Sequence, residues 1–130
     1  MVEGISVVTT TWNEKENIKE LIQGFRSSLK DTLHEVIVVD DNSADGPLNI
    51  AKQYADGAVG KVREGQTKGL LYGMKYAKFP VIVTIDSDLE NSPELIPALI
   101  KKLDDKWLSR LLRLVNNYFT IFFYQFKPLF

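Results

Sequence analysis

The sequence predicts an α/β fold, a parallel sheet with helices on both faces. Strand-like runs alternate with segments of helical periodicity, strand then helix, four times between residues 4 and 103. Such alternation favours right-handed crossovers between parallel strands. Two of the runs, EVIVV at 35–39 and VIVTI at 81–85, are rich in β-branched residues without polar alternation, as in strands covered on both faces. Each closes in acid, the first as Asp40-Asp41-Asn42-Ser43 and the second as Asp86-Ser87-Asp88-Leu89-Glu90. In a doubly wound sheet of strand order 3-2-1-4, the first and fourth strands are neighbours where the winding reverses, and ligands bind there.

Gly4 to Thr9 is the first strand. Thr11 and Glu14 have capping-box spacing, so a helix follows, with Ile18, Leu21, Ile22, Phe25 and Leu29 as its apolar face. Glu35 to Val39 is the second strand. Asp45-Gly46-Pro47 then puts proline where a first helical turn tolerates it, and that helix ends at Asp56-Gly57. Ala58 to Arg63 is a third, weaker strand containing Gly60, and Glu64 to Lys68 is a polar loop. Gly69 to Ala77 carries Leu70, Leu71, Met74 and Ala77 at helical spacing, with Gly73 marking a close packing contact. After the strand at 81–85, Ser92 can cap a helix that begins at Pro93 and buries Leu95, Ile96, Leu99, Ile100 and Leu103; Pro97 removes a backbone donor one turn into it.

The totals bound the answer. The chain has 130 residues, 45% hydrophobic and 25% charged, the size and composition of one globular domain. With 16 basic and 17 acidic residues the net charge is -1, so no general basic field points to nucleic acid. The absence of cysteine excludes disulfides, thiolate metal sites and a cysteine nucleophile. His34, the single histidine, reads as a loop residue rather than a catalyst. No signal peptide opens the chain, and a cytoplasmic location, peripheral to a membrane, is the expectation. The alternation ends near Asp104, which divides the chain into an α/β domain at 1–104 and an amphipathic, aromatic-rich segment at 105–130. A helix from Trp107 to about Tyr118 in that segment would contact a membrane surface, a partner or the core, and polar residues interrupt the segment too often for a membrane span.

The loops at the strand ends carry the chemistry. Residues two apart on an extended chain point the same way, so Asp86 and Asp88 can present oxygens to one point, with Glu90 continuing the row. Hard oxygen donors at a strand end suit Mg²⁺ or Mn²⁺, while the plainer alternative is that strand-to-helix loops are commonly acidic, with Asp as turn former or cap. Trp12 either stacks on a flat ring or packs in the core, and Thr10 and Glu14 offer hydrogen-bonding groups beside it. Asp41 can accept from the N–H edge of a uracil or guanine. Neither the dinucleotide string G-x-G-x-x-G nor the triphosphatase string G-x-x-x-x-G-K-[ST] occurs.

Together these stretches resemble a known family. SVVTTTWNE at 6–14 is similar to the opening strand and turn of family 2 glycosyltransferases of the Rossmann-like GT-A fold, VVDDNSAD at 38–45 to their second signature, and Asp86-Ser87-Asp88 to their D-x-D metal motif. DSDLE followed by Asn-Ser-Pro-Glu, together with Arg63 and Lys68-Gly69-Leu70, most resembles the dolichyl-phosphate mannosyltransferase and polyprenyl-phosphate sugar transferase branch. The resemblance covers about residues 4 to 103. It implies that Thr10, Trp12 and Glu14 line a nucleotide pocket, that Asp41 recognises the base, and that Asp86, Asp88 and Glu90 hold Mg²⁺ or Mn²⁺. Arg63 and Lys68 are candidates for phosphate or acceptor contacts. Thr10 stands where the family has proline, Trp12 where it has tyrosine, and Glu90 where close relatives often have glutamine. Family domains also continue well past the D-x-D, with strands that supply the acceptor site; no counterpart is recognisable here.

The resemblance implies a glycosyltransferase that moves a sugar from GDP-mannose or a UDP-sugar to an acceptor, a polyprenyl or dolichyl phosphate, with inversion. The alternative is a non-catalytic nucleotide- or metal-binding fragment, completed by a second copy or another subunit. A phosphotransferase of the haloacid-dehalogenase type also uses acidic strand ends, but its nucleophile closes the first strand, which here closes in Thr-Thr-Thr-Trp.

Overall fold

The computed structural model describes residues 4–13, 15–43, 46–79, 81–86, 93–103 and 119–123. Along the chain come β1 (Ile5–Thr11), α1 (Lys15–Ser28), β2 (His34–Asp40), α2 (Pro47–Tyr54), β3 (Gly57–Gly60), α3 (Gln66–Met74) and β4 (Val81–Asp86). A 3₁₀ turn (Pro93–Leu95), α4 (Ile96–Leu103) and β5 (Phe119–Phe123) follow. The sheet runs β3-β2-β1-β4-β5, so the predicted 3-2-1-4 order is present, with β5 added antiparallel at the edge of β4.

Period-two alternation sorts the strand side chains onto two faces. On one, Ile5, Val7, Val36, Val38, Val81 and Val83 pack against Ile18, Leu21, Ile22, Phe25 and Leu29, the stripe predicted for α1, and against Ala51 and Ile96. On the other, Val8, Ile37 and Ile82 meet Leu70, Met74 and Ala77. Helices α1, α2 and α4 therefore share one face of the sheet and α3 takes the opposite one.

Helix α3 lies with its backbone directly on β1 and β2. A Cβ on Gly73 would fall 2.6 Å from Val8 Cγ1 and 2.7 Å from Val39 Cγ2, and one on Gly69 would fall 2.8 Å from Thr10 Cγ2. Gly73 is the contact expected from the sequence; Gly69, four residues earlier on the same helix face, is a second.

A polar clip holds the other end of the sheet. Ser6 Oγ donates to Glu35 Oε1 at 2.5 Å, the Lys78 N–H donates to the same oxygen at 2.6 Å, and the Phe79 N–H donates to Ser6 Oγ at 3.1 Å. Glu35 is buried, and these bonds supply the partners that a carboxylate removed from water requires. They tie the entry of β4 to the first residues of β1 and β2.

Several boundaries differ from the sequence reading. Helix α3 starts at Gln66 rather than Gly69, because Gly65 turns the chain at φ 95° and its carbonyl accepts the Gly69 N–H at 3.1 Å. It closes at Met74 rather than Ala77, where tighter bonds from Tyr76 N–H to Gly73 O and from Ala77 N–H to Met74 O end the α-helical ladder. Strand β3 is Gly57–Gly60 rather than Ala58–Arg63: its partner β2 runs out at Asp40, which lies opposite Gly60. His34 is the first residue of β2, not a loop residue, with Nδ1 2.8 Å from Thr32 O.

The Thr11 half of the capping box is absent, since Thr11 is the last residue of β1 and its buried hydroxyl has no hydrogen-bond partner among the described residues. Glu14 and Ser92 lie outside the described residues. The 3₁₀ turn at Pro93–Leu95 leaves Pro97 as the second residue of α4, where a first-turn N–H has no intrahelical partner to lose. The helix expected over Trp107–Tyr118 also lies outside the described residues, while FTIFF just beyond it, β-branched and aromatic, forms β5.

Gly73→Val should lower stability by about 3 kcal/mol, because two β-branched neighbours with stiff side chains have no room to yield. Urea denaturation measures this against Leu71→Ala, at a residue 57% exposed, which should stay within about 0.5 kcal/mol. Equal midpoints for the two variants would show that α3 does not sit this close to the sheet.

Candidate functional site

The C-terminal ends of β1, β2 and β4 meet at one rim. Register places Thr11 beside Asp40 on one side, and Thr10 beside Asp86 on the other. Chain direction reverses sharply after β1 and after β2, and at each turn an asparagine adopts the left-handed conformation that this residue type tolerates, Asn13 at φ 54° and Asn42 at φ 63°. The two turns are joined. The Asn13 N–H donates to Ser43 Oγ at 2.8 Å, and Ser43 Oγ donates to Asp40 Oδ1 at 2.6 Å. Asp40 also accepts the Ser43 N–H at 3.2 Å, so this first acid of the pair shapes the turn.

Asp41, only 4% exposed, holds a different loop. Its Oδ1 accepts the Glu64 N–H and its Oδ2 the Gly65 N–H, both at 3.1 Å, and Lys61 Nζ lies 3.5 Å from Oδ1. Lys61 is further fixed by its N–H on Asp40 O at 2.9 Å and by its ammonium on Val62 O at 2.6 Å. The segment from Lys61 to Gly65 is thereby hung on the end of β2 and delivered to the first turn of α3.

Two predicted site residues meet across this loop. Arg63 stacks its guanidinium over Trp12, Cζ lying 3.5 Å from the ring centroid. Trp12 is 45% exposed, so of its two readings the core one falls. Lys68, in the first turn of α3, pairs with Glu64 at 3.8 Å. Thr10 is buried, its methyl group under Gly69. Thr10, Trp12, Asp41, Arg63 and Lys68 thus converge on the rim. The side chain of Asp86 lies outside the described residues, as do Glu14, Asp88 and Glu90 entirely.

Sequence reasoning missed Lys61, Glu64, Gly65 and Ser43. The Asp40-to-Ser43 spacing is a local turn signal; nothing local marks Glu64, which meets Asp41 from 23 positions away. Among the described residues no three acidic or histidine side chains cluster as a metal site. The donor set expected from the sequence, Asp86, Asp88 and Glu90, would be of hard oxygens, a chemistry that fits Mg²⁺ or Mn²⁺, and its first residue ends β4 beside Thr10. Tyr76, past the far end of α3, has its phenol raised by its hydrogen bond with Tyr72 and has no part in the rim.

A flat exposed ring, a stacked cation and a buried carboxylate at the switch point of a parallel sheet can bind a planar, anionic ligand. Comparison with known proteins points the same way. The family model described as Glycosyl transferase family 2 matches residues 6–120. A dolichol-phosphate mannosyltransferase from Pyrococcus furiosus is 36% identical over 104 residues, which covers 76% of this chain and 30% of that protein. An undecaprenyl-phosphate 4-deoxy-4-formamido-L-arabinose transferase from Pseudomonas savastanoi is 30% identical, with 76% of this chain and 32% of that protein covered. The chain spans about a third of the length of these curated relatives.

Among solved structures, glucosyl-3-phosphoglycerate synthase from Mycobacterium tuberculosis, in complex with Mn²⁺, UDP and glucosyl-3-phosphoglycerate, superposes with a TM-score of 0.65 at 30% identity. It covers 78% of this chain and 39% of that one. A mannosyltransferase from Pyrobaculum calidifontis, at 24% identity and a TM-score of 0.67, shares the fold over 78% of this chain and 32% of its own.

Asp41→Asn replaces one acceptor oxygen with a donor that faces a backbone N–H. Hydrogen exchange at the Glu64 and Gly65 amides should accelerate by about tenfold or more, the cost of one lost charge-assisted bond. Unchanged exchange at both amides would remove Asp41 as the anchor of this loop.

Proposed function

We propose that this chain, which belongs to glycosyl transferase family 2, binds a nucleotide-sugar donor at the rim and takes part in moving its sugar, with inversion, to a polyprenyl or dolichyl phosphate. The observation that carries the reading is the convergence of Trp12, Arg63 and Asp41 at the switch point, where β1 and β4 are neighbours. The base stacks on Trp12 while Thr10 and Glu14 complete the pocket. Asp41 Oδ1 takes the Glu64 amide and the Lys61 ammonium, whereas Oδ2 takes only the Gly65 amide and keeps a second lone pair for the N–H edge of the base.

Asp86 and Asp88, with Glu90, are the residues that would hold Mg²⁺ or Mn²⁺. When bound, such an ion neutralises charge on a diphosphate leaving group. Arg63 and Lys68 offer further positive charge to the same phosphates. An acceptor oxygen attacks the anomeric carbon from the face opposite the diphosphate, the carbon–oxygen bond to the diphosphate breaks, and the configuration inverts. A phosphate acceptor is already ionised near neutral pH, so this transfer needs no general base. Among the described residues no helix is long and apolar enough to cross a membrane. The proposed route to a lipid acceptor is contact with a membrane surface.

A second reading rests on length. The chain covers 30% and 32% of the two curated relatives, and a donor-binding portion that acts only with the remainder of a longer protein, a second copy or a completing subunit accounts for that.

Calorimetric titration with GDP-mannose and UDP-glucose, with and without Mn²⁺, tests donor binding. One donor should bind at least about tenfold more tightly with the metal. Asp86→Asn with Asp88→Asn should erase that gain while leaving the fold intact, and metal-dependent binding that survives both changes would refute their role as ligands. Sugar transfer to a polyprenyl phosphate by the 130-residue chain selects the enzyme reading; donor binding without transfer selects the donor-binding portion.

A further inference from the structure

Resting on the donor-binding reading above, we infer that Arg63 is a place-holder for the base: its guanidinium covers the face of Trp12 on which the base stacks, opposes any ligand that must displace it, and is compensated only when a diphosphate is present to receive its charge. The stack is close, with Cζ 3.5 Å from the ring centroid. Arg63 directly precedes Glu64, whose N–H is held by Asp41, and its guanidinium reaches the Trp12 ring, so its side chain spans the gap between the two groups that the proposed base would touch.

The loop is built so that little else can move. Lys61 is held through its N–H by Asp40 O and through its ammonium by Asp41, and Glu64 and Gly65 are held through their N–H groups by Asp41. Val62 and Arg63 alone lie between these anchors, and Val62 is 75% exposed. Among the described residues no carboxylate pairs with Arg63, whose planar donors therefore remain open to a phosphate. Rotation of the Arg63 side chain about a fixed backbone uncovers the ring and carries the cation away in one motion.

The energetic consequence is selectivity for the phosphorylated ligand. A nucleoside must displace an exposed cation–π contact, which weakens its binding by roughly two- to fivefold. A nucleoside diphosphate displaces the same contact but gains a charge-assisted hydrogen bond to the released guanidinium, worth about tenfold or more. Arg63 thus opposes one ligand and favours the other through one side chain.

Binding of guanosine, GDP, uridine and UDP to the 130-residue chain, in the Trp107→Phe background and followed at the Trp12 indole resonance, tests this. Arg63→Ala should tighten the matching nucleoside by roughly two- to fivefold and weaken its diphosphate by about tenfold. The ligand-free Trp12 indole signal should also shift in Arg63→Ala, while the denaturation midpoint falls by no more than the loss of one exposed cation–π contact. Parallel weakening of nucleoside and diphosphate would make Arg63 an ordinary contact and overturn the inference, as would unchanged nucleoside affinity. If the unsubstituted chain binds neither GDP nor UDP, the donor-binding reading itself fails, whereas binding of a diphosphate without the opposed response sinks the place-holder alone.

Discussion

Asp41 carries a carboxylate to the end of β2 and almost out of water, and the rim takes its form from the groups that satisfy it. At 4% exposure an ionised oxygen pair must find donors within the protein, because an unpartnered buried charge costs several kcal/mol. The donors come from Glu64, Gly65 and Lys61, which lie beyond α2 and β3 in the chain. Satisfying one side chain thereby fixes the path of a whole loop, the position of Arg63 over Trp12 and the point at which α3 begins. Asp40, its neighbour, does the same for the two left-handed asparagine turns through Ser43. The adjacent acids that mark this stretch in the sequence divide the work, one bracing its own turn and the other reaching across the site.

The other determinant is how near α3 comes. With no side chain at Gly69 or Gly73, the helix settles onto Thr10, Val8 and Val39 at distances a Cβ would forbid. The residue beneath Gly69 is Thr10. The same position therefore closes the floor of the rim and sets the height of the helix that carries Lys68. Chemistry and packing meet at a single methyl group.

The sheet was legible because its signal is local. β-Branched runs covered on both faces, a proline at the first helical position and an apolar stripe of Ile18, Leu21, Ile22 and Phe25 in α1, continued by Leu29 just past its end, each state their structure within a few residues. That the loops of Trp12 and Asp41 lie side by side was legible only through topology, since strand order and not sequence distance makes them neighbours, whereas the placement of Arg63 over Trp12 had no signal in the sequence. What escaped were features decided elsewhere in the chain. Where β3 stops depends on where β2 stops, and where α3 starts depends on a carboxylate 24 residues before Gly65. Thr11 illustrates the opposite error: a sound local capping pattern yields to the longer ladder that β1 makes with β2.

Strand β5 extends the predicted sheet by pairing antiparallel with β4 over Val81↔Phe123 to Ile85↔Phe119. β4 is built of the β-branched residues most prone to recruit another strand, and without β5 its outer row of amides and carbonyls would stand open to a neighbouring molecule. By occupying that row, FTIFF closes the outer side of β4 and itself becomes the edge of the sheet. β5 arrives later than β4, because every residue between the two strands must emerge from synthesis before Phe119–Phe123 can dock. Until then the nascent protein presents the open edge of β4, an interval in which chaperone binding there has a physical reason.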